Sequence, residues 1–193
     1  ELMQSEDFLC VIDATHPFAV KVSESVRLSA DKAGLTYKRL ARQTSCQDLP
    51  SDTVFVENVR EAATYLNEQE GIIFLTTGSK ELPVLTDIIQ DKSRLIARVL
   101  PMHESLTICE ECGLKPSQII AMQGPFSEEM NVAMLRSTKA AYLLTKETGT
   151  IGGMQAKVSA AASLGVGLVM IRNPERNMTE LYSEEEILAF LGL

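Results

Sequence analysis

Four short turns hold the residues with the clearest potential for chemistry, and each turn follows an apolar run. The first contains an acid, a hydroxyl and an imidazole, namely Asp13, Thr15 and His16. The other three carry hydroxyls, glycines and lysines, and they comprise residues 76–80, 123–127 and 146–157. Hydroxyls, ammonium groups and backbone N–H groups beside a helix start are common partners of bound anions. Together the four turns therefore predict a site for an anionic ligand.

Alternating strand and helix signals would position these turns. The apolar run at residues 8–12 has the composition and length of a strand. Pro17 is expected in the first turn of the following helix, where its missing N–H is not needed. Further along, Ser127 is expected to cap a helix, and Ser183 with Glu186 forms a capping box for the last one.

The strand and helix pattern occurs twice, before and after Pro101. Strands separated by helices indicate a parallel sheet, and open sheets of this kind bind ligands at the carboxyl ends of their strands. We therefore predict an α/β fold of two Rossmann-like three-layer domains, with mostly parallel sheets around a shared cleft. The predicted domains comprise residues 1–100 and 101–193.

Composition narrows the class of protein. The chain has 193 residues, of which 45% are hydrophobic, so one large or two small cores can form. A formal net charge of −8 and the lack of a Lys/Arg-rich run argue against nucleic-acid binding. No apolar run is long enough to cross a bilayer, and no signal-peptide pattern precedes the first strand. A cytoplasmic protein is expected.

The histidines and cysteines form no metal-binding pattern. The two histidines are isolated, and Cys109 with Cys112 makes a single C-x-x-C that lacks a second pair. We therefore expect no metal site, and we expect reduced thiols near a helix end, as in a cytosolic protein.

Each candidate residue also has a purely structural interpretation. An acid or a threonine before a helix is commonly a cap, as Asp13 and Thr15 would be, and His16 could be a hydrogen-bonded histidine beside a turn. The glycines could serve tight turns, and the lysines could be solvated surface charges. Joint placement at strand ends, rather than any single motif, favours the functional interpretation.

Several familiar signatures of nucleotide and hydrolase sites are missing from the sequence. It contains no G-x-G-x-x-G after a strand, no Walker A sequence and no G-x-S-x-G elbow. The residues alone therefore predict an α/β protein with an anion-binding cleft and leave its reaction open.

Residues 11–19, VIDATHPFA, resemble a signature segment of the precorrin-6A reductase family. Further segments resemble motifs of this family in the same order along nearly the whole chain. They are TTGSKEL at residues 76–82, RVLP at 98–101, QGPFS at 123–127 with Glu129 and Asn131, and TKETG at 145–149 with Gly152, Gly153 and Lys157. Several motifs in the correct order are far more specific than any one of them.

The resemblance implies an oxidoreductase that uses NADPH and acts on an anionic tetrapyrrole. Members of the family reduce one double bond of precorrin-6A, or of its cobalt complex, to the 6B form in cobalamin biosynthesis. They have two Rossmann-like domains with exchanged edge structure. They usually open with a strand and a G-G-T-x-E/D turn, which nothing before Asp13 resembles. We therefore expect either that this phosphate loop is missing here or that the chain is a naturally short relative. A sheet edge left unpaired by the missing segment would favour oligomers.

Taken with the four turns, the resemblance suggests roles for individual residues. His16 is the first candidate for the proton donor, because an unperturbed histidine pKa of ~6.5 lies near working pH, and Lys146 is the second. Predicted contacts with substrate or cofactor are made by Asp13, Thr15, Thr77, Gly78, Lys80, Gln123, Gly124, Pro125, Phe126, Ser127, Gly149, Gly152, Gly153 and Lys157. An acidic protein must gather its cations around an anionic substrate, and those available are Lys21, Arg39, Arg42, Lys80, Arg98, Lys146 and Lys157.

Two other functions stay open at this point. One is another Rossmann-type NADP-dependent reductase, although the missing glycine fingerprint counts against it. The other is a non-catalytic module that binds a tetrapyrrole or a nucleotide.

Overall fold

The computed structural model describes residues 3, 7–41, 49–148, 153–176 and 178–193. Strands and helices alternate along the chain, as predicted. The strands are β1 (Cys10–Asp13), β2 (Thr36–Leu40), β3 (Val54–Val56), β4 (Ile72–Leu75), β5 (Leu95–Val99), β6 (Ile119–Ala121), β7 (Ala140–Lys146), β8 (Gly167–Ile171) and β9 (Leu181–Tyr182). The α-helices are α1 (Val20–Ala33), α2 (Val59–Asn67), α3 (Leu82–Ile88), α4 (His103–Glu111), α5 (Glu128–Thr138), α6 (Met154–Leu164) and α7 (Glu184–Leu191).

The polypeptide forms two compact units. Unit 1 comprises Glu1–Gln43 and Asn173–Leu193, whereas unit 2 comprises Thr44–Arg172. This division differs from the predicted domains, because the pairing of β5 with β6 carries one sheet across Pro101. Strands β3 to β8 all belong to that sheet, so the repeated pattern of strands and helices does not mark two domains. The shared cleft stays a prediction.

Unit 2 is built on a six-stranded sheet in the order β3-β8-β7-β4-β5-β6, in which every neighbouring pair is parallel. Its central strands are apolar runs, as expected of parallel strands that are covered on both faces. On one face Phe74, Leu143 and Met170 pack with buried residues of α5 and α6. The side chains that alternate with these along the strands, such as Ile73 and Leu144, belong to the other face and are equally buried. Helices α2, α3 and α4 cover that face.

The chain reverses its direction across this sheet between β4 and β7. From β4 it proceeds to β5 and β6, and from β7 it proceeds to β8 on the opposite side. Open α/β sheets bind ligands beyond the carboxyl ends of the strands at such a reversal. The two strand ends are joined here, because Thr76 donates both its N–H and its hydroxyl to the Leu144 carbonyl, each at 2.9 Å. We call this edge of unit 2 the switch edge.

Unit 1 has a three-stranded parallel sheet in the order β1-β2-β9, together with α1 and α7. Its registers place Asp13 beside Arg39 and Arg39 beside Leu181. The mostly parallel α/β architecture predicted from the sequence is therefore confirmed in both units.

The start of α1 differs from the prediction. The helix begins at Val20 rather than at Pro17, because the Ala19 N–H bonds the His16 carbonyl at 2.8 Å and closes a separate turn first. Pro17 is buried in that turn. Of the helix's own residues, only Ala30 is fully buried.

Two predicted helix starts are confirmed by their caps. The Ser127 hydroxyl accepts a hydrogen bond from the Met130 N–H at 3.3 Å, which fixes the start of α5. At α7 the Ser183 hydroxyl accepts from the Glu186 N–H at 3.1 Å, and the Glu186 carboxylate accepts from the Ser183 N–H at 2.7 Å. Both caps satisfy backbone donors that have no partner within the helix.

The described cysteines are free thiols, as predicted. Cys109 and Cys112 are buried at the end of α4, and Cys10 lies on β1. Cys46, in a predicted loop, lies outside the described residues. Within the described ranges no helix combines the length and apolar character needed to cross a bilayer.

A buried ion-pair network ties separate segments of unit 1 together. Arg39 is 3% exposed and forms ion pairs with Asp13 and Glu175. Its guanidinium also donates to the Thr15 hydroxyl at 2.7 Å and to the Thr15 carbonyl at 3.0 Å. The carboxylate of Asp13 accepts from the Thr15 N–H at 2.9 Å and from the Tyr37 hydroxyl at 2.7 Å. The network therefore fixes the turn after β1 against β2 and the segment after β8.

Replacing Arg39 with Met is expected to lower the free energy of unfolding of unit 1 by about 3–5 kcal/mol, because it leaves buried carboxylates uncompensated. Arg27→Met is the matched control. Arg27 pairs with Glu180, but their side chains are 50% and 65% exposed, and such pairs contribute at most about 1 kcal/mol. Urea unfolding measures both effects. Equal losses in the two variants would contradict the importance of the network.

Acid is expected to weaken the same network. Burial alone raises the pKa of Asp13, but hydrogen bonds from Thr15 and Tyr37 outweigh burial and lower the pKa from 3.8 to about 2. Because the folded pKa is the lower one, the carboxylate stabilises the folded protein above pH 3.8, and this stabilisation disappears as the pH falls to about 2. Asp13→Asn should remove this part of the acid dependence in thermal unfolding. An unchanged acid dependence would refute the assignment.

Candidate functional site

Two buried cations lie near each other at the switch edge of unit 2. Arg98, near the end of β5, is 8% exposed, and Lys157, on α6, is 7% exposed. The Phe126 ring centroid lies 4.2 Å from the central guanidinium carbon of Arg98. Asn131 of α5 accepts a hydrogen bond from Arg98 Nη1 at 2.8 Å. We call these four residues the cation cluster.

Neither cation of the cluster has a carboxylate partner in the described part of the chain. The pKa of Lys157 is lowered to about 8, first by burial and then by the positive charge of Arg98. Burial also lowers the pKa of Arg98 to about 10. Because buried charges in proteins are normally paired, the cluster is suited to bind an anion.

The first turns of α5 and α6 build the cluster. The Asn131 amide donates to the carbonyls of Ser127 at 2.8 Å and of Phe126 at 3.4 Å, so the turn before α5 is held to the residue that orients Arg98. Gly153 precedes α6 with a φ of +64°, in the left-handed region. A Cβ at this glycine would lie 4.0 Å from the Phe126 carbonyl oxygen, so the turn also approaches the start of α6.

Three threonine hydroxyls of unit 2 are buried and have no hydrogen-bond partner among the described residues. They belong to Thr77, Thr145 and Thr148, which follow or end the strands β4 and β7. Thr145 comes two positions after Leu143, so the alternation of side chains places it on the sheet face that carries the cluster. Buried hydroxyls without a partner are uncommon, and a ligand at this edge can supply the missing partner.

Lys146 lies at the same edge, but its charge is engaged. Its Nζ is 2.6 Å from Glu81 Oε1, and the ion pair joins the end of β7 to the helical turn before α3. Lys80, in that same turn, is exposed. The predicted catalytic role of Lys146 therefore coexists with a structural one.

The predicted site residues of unit 1 have contacts that explain their types. Asp13 and Thr15 belong to the buried Arg39 network, so their conformation is set without a ligand. His16 is exposed, and its Nδ1 accepts a hydrogen bond from the Phe18 N–H at 3.2 Å. His16 and Lys146, the two predicted proton donors, belong to different units.

Among the residues predicted for unit 2, the structure brings Phe126 and Lys157 together with Arg98. The rest of the 123–127 turn is exposed next to them and comprises Gln123, Gly124, Pro125 and Ser127. Several of the seven available cations were predicted to face one cleft. Of these seven, Lys21 and Lys80 are exposed, and Arg39 is paired internally. Three predicted residues lie outside the described ranges, namely Arg42, Gly149 and Gly152.

Two residues of this edge were not among the predicted site residues. Asn131 orients Arg98. The sequence pattern that could have indicated Asn131 is its spacing of four residues, about one helical turn, from the cap Ser127. Thr145 is fully buried, and its signal was a polar residue within the apolar run of β7. Neither signal by itself distinguishes a ligand contact from a structural hydrogen bond.

Lys157→Met is expected to raise the free energy of unfolding of unit 2 at neutral pH by about 1–3 kcal/mol, because it removes a buried unpaired charge. Unfolded lysine binds protons more tightly than folded Lys157, so the gain should vanish as the pH rises from about 8 to 10.5. Lys139→Met, at the exposed end of α5, is the control and should change stability by less than about 0.5 kcal/mol. Urea unfolding of Lys157→Met with a loss of stability would contradict an unpaired cation.

Comparison with known proteins identifies the family of the chain. The family model described as precorrin-6x reductase CbiJ/CobK matches residues 1–192. The cobalt-precorrin-6A reductase of Priestia megaterium is 36% identical over 178 residues, which cover 91% of this chain and 69% of that protein. The cobalt-precorrin-6A reductase of Methanothermobacter thermautotrophicus is 37% identical over 182 residues, which cover 92% of this chain and 59% of that protein.

A solved structure described as CobK precorrin-6A reductase shares the fold. It matches with a TM-score of 0.73 and 22% identity over 95% of this chain and 72% of that one. The chain thus spans about three fifths to seven tenths of the length of these relatives. The match to the family model confirms the resemblance seen in the motifs. The chain belongs to the precorrin-6x reductase family, whose members are oxidoreductases of cobalamin biosynthesis.

Proposed function

We propose that the chain reduces one double bond of precorrin-6A or cobalt-precorrin-6A, with NADPH as the hydride donor. Its family supports the class of reaction, and the names of its relatives support the tetrapyrrole substrate. The observation that carries the proposal is the cation cluster, in which Arg98 and Lys157 are buried without a carboxylate among the described residues. A tetrapyrrole acid brings carboxylates, one of which would pair with Arg98 and offset the positive charge of Lys157 beside it.

Arg98 is the residue best suited to bind a substrate carboxylate. Its hydrogen bonds to Asn131 and Met134 both start from Nη1. Its other donors bond no described residue, so they can form the paired hydrogen bonds that guanidinium and carboxylate groups favour. Phe126 lies against the guanidinium and adds apolar surface beside it. A bound anion would also offset the repulsion between Arg98 and Lys157.

The residues of the switch edge also fit a nicotinamide cofactor. Gly78 has a φ of +88°, and nothing lies within 4 Å of the place where a Cβ would be, so the backbone after β4 is open to a close ligand. Thr77 and Thr148 offer hydroxyls that have no hydrogen-bond partner within the described ranges. When bound, NADPH supplies the hydride. The described residues would hold it in place and keep water out.

We place the protein in the cytoplasm. Its described cysteines are free thiols, as is usual in a reducing compartment. The enzymes and reduced cofactor that a biosynthetic reductase depends on also belong to the cell interior.

The test is anaerobic oxidation of NADPH by the 193-residue protein with precorrin-6A and, separately, with its cobalt form. Oxidation that depends on the tetrapyrrole is expected with one or both. Arg98→Gln should raise the KM for the tetrapyrrole by about 10- to 100-fold, because a hydrogen bond to a charged group is lost. Arg136→Gln, on the exposed side of α5, is the matched control and should leave KM unchanged.

Three results would overturn the proposal in different ways. No oxidation with either substrate, together with tight tetrapyrrole binding, would identify a non-catalytic binding module. Oxidation that needs a different substrate would identify another reductase. An Arg98→Gln variant with wild-type KM would remove the cation cluster from substrate binding.

A further inference from the structure

We propose that Lys157 is the proton donor of this reduction, giving a proton from its Nζ to the atom beside the carbon that receives the hydride. The inference rests on the proposed function, which it deepens by assigning a catalytic residue. It replaces His16 and Lys146 as the first candidates.

The position of Lys157 is the first argument. It projects from the first turn of α6, on the sheet face of Arg98 and Thr145 at the switch edge. Its side chain is 7% exposed, and no hydrogen bond or ion pair engages its Nζ among the described residues. A proton donor must reach the substrate directly, and an amine without an internal acceptor can do so.

The charges around Lys157 are the second argument. Burial is the larger cause that lowers the pKa of Lys157, and the guanidinium of Arg98 on β5 lowers this pKa further by repelling the ammonium. Asn131 of α5, which accepts a hydrogen bond from Arg98, and Thr145 of β7, on the same sheet face, are both uncharged. Burial and repulsion both favour the neutral amine, so loss of the proton relieves an unfavourable charge.

The earlier candidates lack this combination. Lys146 donates to Glu81 Oε1 at 2.6 Å, so its ammonium is held by a carboxylate. His16 is exposed, where solvent competes for proton transfer. Lys157 combines a buried position with a neighbouring cation. Its pKa is lowered from the ordinary lysine value to about 8, which is closer to neutrality.

The proposed step balances in atoms and electrons. The C–H bond at the reduced nicotinamide breaks, and its electron pair forms a new C–H bond at one end of the substrate's double bond. The electrons of that double bond take the proton from Lys157 Nζ at the other end. The nicotinamide is oxidised, the tetrapyrrole gains two electrons as a hydride with a proton, and Lys157 is left as a neutral amine that solvent protonates again.

Steady-state kinetics of two substitutions separate charge from proton transfer. Lys157→Arg keeps a cation that does not release its proton at working pH, so kcat should fall by about 10²- to 10⁴-fold while KM changes little. Lys157→Met should lose kcat and also raise KM. Lys139→Arg, at the exposed end of α5, is the matched control. The loss of kcat/KM at alkaline pH, which reports the free enzyme and is expected near pH 8 in the wild type, should disappear from the residual activity of Lys157→Arg.

A second measurement does not depend on activity. Reductive methylation with ¹³C-formaldehyde labels the lysines, and the signal that vanishes in Lys157→Arg identifies Lys157 in the NMR spectrum. It should titrate near pH 8, well below the usual lysine value of about 10.4. Addition of the tetrapyrrole should shift the Lys157 signal and leave that of Lys139 in place.

The outcomes separate this inference from the proposed function. A folded Lys157→Arg variant that keeps wild-type kcat overturns the inference alone, as does a Lys157 signal that titrates at the usual lysine value of about 10.4. If the alkaline limb of the pH–activity profile moves only in His16→Ala, the proton donor is His16 rather than Lys157. A wild-type protein that does not oxidise NADPH with either tetrapyrrole overturns both.

Discussion

A charge taken out of water needs compensation, and the two units meet this constraint in opposite ways. In unit 1 Arg39 lies between Asp13 and Glu175, so the protein itself supplies the opposite charges. In unit 2 Arg98 and Lys157 bring like charges towards each other with an aromatic ring and an amide as neighbours. The first arrangement is complete and makes the turn after β1 rigid. We propose that an anion from outside the polypeptide completes the second.

The parallel sheet of unit 2 makes the second arrangement possible. Because its strands all run in one direction, β4, β5 and β7 end at the same edge, where the chain order reverses. Arg98 comes from a strand and Lys157 from a helix that follows much later in the chain, and the two share the face covered by α5 and α6. The first turn of α5 completes the cation cluster, because Asn131 connects the turn at Phe126 to the guanidinium of Arg98.

Uncompensated buried charge works against folding, so its presence is informative. The lowered pKa values of Lys157 and Arg98 and the unpartnered hydroxyl of Thr145 are consequences of one condition. In the described part of the chain the two cations have been withdrawn from water without a carboxylate partner, and the Thr145 hydroxyl without any hydrogen-bond partner. A binding site for an acidic substrate accounts for all of them, and the family to which the chain belongs acts on such a substrate.

The sequence by itself determined the alternation of strands and helices, the caps at Ser127 and Ser183, and the family, because periodicity, capping and motif order are local properties. Only the tertiary structure decided that the sheet of unit 2 continues across Pro101, since strand pairing joins distant segments. It also decided which charges are structural. Asp13 and Lys157 were both predicted as ligand contacts, yet the first is paired by Arg39 whereas the second has no such partner among the described residues. Compensation depends on neighbours that folding brings together, and no local pattern encodes it.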